Sequence, residues 1–105
     1  MEPGRGRFRR AEQGEDARRE LRAEIQGLRR ELELLDEVLQ AGPTPLSARA
    51  SLDRSFFSLR AAERAWRAAE EAHDLMAVVQ QLEATRAALD DCLEALRRRS
   101  ARAGH

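Results

Sequence analysis

The chain has 105 residues, 42% of them apolar and 36% charged, with 19 basic and 19 acidic side chains that cancel. That length holds one domain with a thin core, and a balanced charge supplies no global field drawing the protein to nucleic acid or to a membrane. A single cysteine, Cys92, excludes an internal disulfide and suits a reducing compartment.

Arg, Glu, Ala and Leu dominate, the profile of long helices with heptad character. Every basic residue apart from the two histidines is arginine, and Lys, Asn and Tyr are absent. No run of apolar residues is long enough to cross a bilayer. The opening MEPGRGRFRR lacks the apolar stretch of a secretory signal, and Glu2, Glu12, Glu15 and Asp16 are foreign to an acid-poor presequence. An intracellular location is expected, cytoplasmic first and nuclear as the alternative.

Residues 1–10 mix Pro3, Gly4 and Gly6 with Arg5, Arg7, Arg9 and Arg10, the composition of a flexible basic arm. A single helical domain is expected over 11–100, with its first helix from about 15 to 41. In that helix Leu21, Ile25, Leu28, Leu32, Leu35 and Leu39 recur at steps of four and three. This is an a/d seam, which a partner helix has to cover. Leu34 and Val38 flank the seam and widen its apolar face, so more than one helix is expected there. Gly27 falls at heptad position c, on the solvent side.

The segment AGPTPLS, 41–47, is the strongest break in the chain. Gly42 suits a helix C-terminus, Pro43 and Pro45 cannot continue one, and Ser47 reads as an N-cap. A turn this short, 42–46, makes the flanking helices antiparallel. The second helix is expected from about 47 to 99, because Gly, Pro and Asn are absent there. It closes the hairpin seam with Leu52, Phe56, Leu59 and Trp66. Phe56 and Phe57 cannot both face that seam. Near 73–76 the apolar phase slips, a discontinuity met by over-winding or by a bend. Two architectures therefore fit the all-α class: an antiparallel hairpin or coiled coil with a long second helix, which is preferred, and a three-helix bundle. Residues 101–105 read as a frayed tail.

Nothing in this pattern supports catalysis. The two histidines are far apart in sequence, the cysteine has no partner, and no glycine-rich phosphate loop occurs. No catalytic residue, cofactor-binding residue, cofactor or metal site is expected. Segment 72–83, AHDLMAVVQQLE, resembles the phosphoacceptor helix of histidine-kinase dimerisation domains. The resemblance implies His73 as phosphoacceptor, with Asp74 assisting proton transfer. The plainer reading makes His73 a half-buried position on the Trp66–Met76 face. Cys92 reads as a half-buried thiol.

The preferred architecture leads to a function. A first helix about 40 Å long covers the second only to about residue 75. Leu75, Val79, Leu82, Leu89, Leu93 and Leu96 are then bare, and a bare stripe marks an interaction surface. A small coiled-coil adaptor or assembly subunit is expected, working through protein–protein contact with a second copy or a partner helix. Arg86 is tolerated in that stripe because its long stem lies on apolar surface while its head reaches an acid. The alternatives are the His73 signalling helix and a weak nucleic-acid binder using the terminal Arg clusters, which a hairpin would bring to the same end.

Overall fold

The computed structural model describes the backbone of residues 3–103 and the side chains of residues 14–102. Helix α1 spans Pro3–Gln40, α2 Leu46–Ala68 and α3 Leu75–Ala103, and a 3-10 turn covers Ala72–Asp74 before α3. The fold is all-α. Because α1 starts at Pro3, the backbone of the stretch read as an arm continues the helix from residue 3, while the arginine side chains of that stretch lie outside the described residues. The backbone of 101–103, read as tail, belongs to α3.

The long second helix is not continuous. It is divided at Ala69–Asp74, giving the three-helix alternative. Ala69 (φ −69°, ψ 119°) and Glu71 (φ −120°, ψ 160°) are extended, so the chain reverses without glycine or proline. Asp74 makes this possible: its carboxylate accepts hydrogen bonds from the backbone N–H groups of Glu70 and Glu71 at 3.1 and 3.0 Å. Glu71 reciprocates with the backbone of Asp74, forming a capping box. Arg18 of α1 donates to the Ala69 carbonyl at 2.8 Å, satisfying a group that the broken helix leaves open. The energetic reason is burial. Each Leu or Val that α3 turns inward contributes about 1.5–3 kcal/mol, against about 0.5–1.5 kcal/mol net for each helical hydrogen bond lost.

At the other connection, Thr44 Oγ1 donates to the Leu39 carbonyl at 2.6 Å and pins the turn. Pro45, not Ser47, is the N-cap of α2, and Ser47 lies exposed inside the first turn. A proline at φ −59° already has the geometry from which the helix starts. Arg49 pairs with Asp36, tying α2 to α1 just beyond the turn.

The core is one contiguous cluster drawn from all three helices. Leu32 of α1, Leu52 of α2, and Val78, Thr85 and Cys92 of α3 are fully buried. The seam residues divide into buried Ile25, Leu28, Leu32, Leu39, Leu52 and Leu59 and half-buried Leu21, Leu35, Phe56 and Trp66. Phe57 is exposed.

Helices α2 and α3 pack most closely. Ala48, Ser51, Ser55 and Ala62 on α2 and Thr85, Ala88 and Cys92 on α3 are buried and small, so the two backbones can approach. The buried hydroxyls cost little because each has a partner: Ser55 donates to the Ser51 carbonyl at 3.0 Å and Thr85 to the Gln81 carbonyl at 2.7 Å. By contrast, α1 and α3 touch sparsely.

Candidate interaction surface

The sparse α1/α3 contact leaves a face of the molecule that the chain does not close. On α1, Leu28, Leu32 and Leu39 point inward, and Asp36 and Arg29 turn towards α2, where they pair with Arg49 and Glu63. Helical periodicity puts Glu24, Gly27, Glu31 and Val38 on the opposite flank, the one beside α3, with Leu34 at its outer edge. On α3 the matching flank carries Arg86, Asp90, Leu93 and Arg97. The two flanks are in register through Arg86, which pairs with Glu24 at 3.2 Å. An open recess of about 480 Å³ lies between them, lined by Glu24, Gly27, Leu28 and Glu31 from α1 and Arg86, Leu89, Asp90 and Leu93 from α3.

The stripe expected to be bare is largely covered. Leu75, Leu82 and Leu89 are buried at 7, 3 and 9% exposure, and Val79 and Leu96 are half-buried. The break at Ala69–Asp74 folds α3 back, so the chain itself covers what a straight helix would have left open. Leu93 alone of the six is exposed, at 42%. It is joined by Leu34 at 62% and Val38 at 66%. The sequence placed these two on a widened apolar face, but among the described residues no helix covers them. Gly27 also lay in view there, as a glycine in the middle of a helix with no turn to make. A Cβ built on Gly27 would meet nothing within 4 Å, so the recess stays open above it. Leu46, Phe57 and Met76 are exposed as well, and scattered apolar side chains of this kind are ordinary.

His73 lies in the 3-10 turn rather than on a helix, with an exposed side chain, which corrects the half-buried reading. Its Nδ1 is 3.2 Å from Glu71 and its Nε2 3.3 Å from Asp74. Asp74 is already engaged by the backbone of the connection, and those N–H groups hold its carboxyl below the usual carboxylate range. Asp74 therefore serves as a cap, a role different from the proton-transfer partner that the kinase resemblance implies.

Cys92 is fully enclosed rather than half-buried, and burial pushes its thiol up. Trp66 is a clamp between helices: its indole N–H donates to the Arg18 carbonyl at 2.9 Å, and the Arg18 guanidinium stacks 4.2 Å from the ring centroid. Of the terminal Arg clusters, only the C-terminal one lies among the residues whose side chains are described. Arg99 donates to the Pro43 carbonyl at the connection between α1 and α2, whereas Gly14 lies beside Ala72 at the other connection.

Among the described residues no group of three or more His, Cys, Asp or Glu comes together to hold a metal ion, and no helix is long and apolar enough to cross a membrane. No protein-family model, curated protein or solved structure matches the chain.

Proposed function

We propose that the chain is a small helical adaptor or assembly subunit, and that it works by presenting the α1/α3 face to another helix. The observation that carries this reading is the exposure of Leu34, Val38 and Leu93 along a flank where two helices of the bundle stand in thin contact. A three-helix arrangement with one open seam accepts a fourth amphipathic helix by the same ridge-and-groove packing that holds the other three. The incoming helix would place apolar side chains against Leu93 and over Gly27, and basic ones near Glu31 and Asp90.

A screen of amphipathic helical peptides displayed against the folded protein tests this. Binders to the wild type should lose affinity for a Val38→Glu/Leu93→Glu variant and keep it for Phe57→Glu, which puts the same charge on an exposed site elsewhere. Binders indifferent to Val38→Glu/Leu93→Glu would refute the assignment, as would a library that returns no helical binder.

A further inference from the structure

We propose that the helix received by the α1/α3 face comes from a second copy of this chain, the two faces meeting antiparallel about a two-fold axis that passes near Leu93. This rests on the reading of that face as a helix-contact surface and names its occupant. The face offers a hollow and a projection on one line. Gly27 opens the hollow, with no atom within 4 Å of the position its Cβ would take. Val38 is the projection, 66% exposed and about 16 Å farther along the same flank of α1. A two-fold rotation midway between them sets Val38 of each copy over Gly27 of the other. An isologous contact requires this self-complementarity of one patch.

The charges agree with the same axis. The Arg86–Glu24 pair fixes α3 beside α1 and places Leu93 level with Glu31, close to the axis. Arg97 and Asp90 then fall on either side of it. The rotation brings Leu93 against Leu93 of the second copy, and Arg97 of each towards Asp90 of the other. Glu31 is a like-charged approach, since both copies carry it near the axis. The pairing therefore has a signature that burial alone would lack: removing the Glu31 charge should tighten it.

Light scattering across concentrations on the full chain is the test, with circular dichroism to confirm that each variant is folded. The wild type should approach twice its 11.9 kDa mass as concentration rises. Arg97→Glu and Asp90→Arg should each weaken association about tenfold or more, and the double exchange Asp90→Arg/Arg97→Glu should restore it. Glu31→Gln should strengthen it. A wild type that stays a single chain up to about 1 mM, a limit too weak for a specific pair, overturns the self-pairing alone, because the peptide screen reads the face independently. Association that ignores both Arg97→Glu and Val38→Glu overturns the pairing at this face.

Discussion

The α2–α3 interface and the α1/α3 face both run along α3, but they are built from different kinds of residue and end differently. Along α2 and α3, buried Ala48, Ser51, Ser55 and Ala62 meet Thr85, Ala88 and Cys92, and small side chains bring two backbones together. Along α1 and α3, Leu34, Val38 and Leu93 are large and stay exposed. Small residues close an interface because the hydroxyls among them bond to their own helix and leave nothing protruding. Large residues at the edge of a seam leave apolar surface in water unless a further helix covers them. One pair of helices is therefore complete within the chain, and the other has room for a guest.

The sharpest way to break this contrast is to cut the core beneath it. Leu32→Ala or Leu52→Ala, each at a position with no exposed surface, should cost about 2–5 kcal/mol in chemical denaturation. Val38→Ala should change the stability of the single chain by less than about 0.5 kcal/mol. Equal losses would mean that the face is already closed. Next in size is overpacking. Ala62→Leu, between α2 and α3, should destabilise by about 1–3 kcal/mol, measured the same way.

Gly27→Ala is predicted to act in the opposite direction. The Cβ enters open space, so the single chain should gain about 0.5–1 kcal/mol from better helix propensity. A loss there would show that the recess is filled.

The smallest effect concerns the connection that makes both interfaces possible. Asp74 titrates below its ordinary value of 3.8 because backbone N–H groups of Glu71 and Glu70 favour its charged form. A lowered folded value means that its contribution is full above the unfolded carboxyl range near pH 4 and fades as pH falls through the lowered folded value. The difference in melting temperature between wild type and Asp74→Ala should therefore be constant above about pH 5 and shrink below about pH 4. A difference independent of pH would remove the cap from the account.

Much of this architecture was legible in the residues. The 4-3 spacing from Leu21 to Leu39 and the Gly42-Pro43-Thr44-Pro45 break are local signals, and local signals survive in sequence. The division of the second helix was visible only as a slip of apolar phase near 73–76, since Ala69–Asp74 contains no turn-forming glycine or proline. What stabilises the break is partly local, the Glu71/Asp74 capping box that the sequence reading did not use, and partly long-range: Arg18 reaching Ala69, and the burial of Leu75, Val78 and Leu82 against helices distant in sequence. A reading that kept the helix straight had to leave that stripe bare. For the same reason it placed the interaction surface on α3 alone, whereas the exposed residues are shared with α1.

The measurement that tests this account most directly is the distance between spin labels on α2 and α3. Labels at positions 54 and 91, in a Cys92→Ala background so that only these sites react, replace a pair whose side chains lie 3.6 Å apart across the two helices. A folded-back α3 predicts a label separation set by neighbouring helices, with axes about 8–10 Å apart. A straight second helix would hold the same two positions about 55 Å apart by the helical rise, and that distance would contradict the three-helix fold and every surface assigned from it.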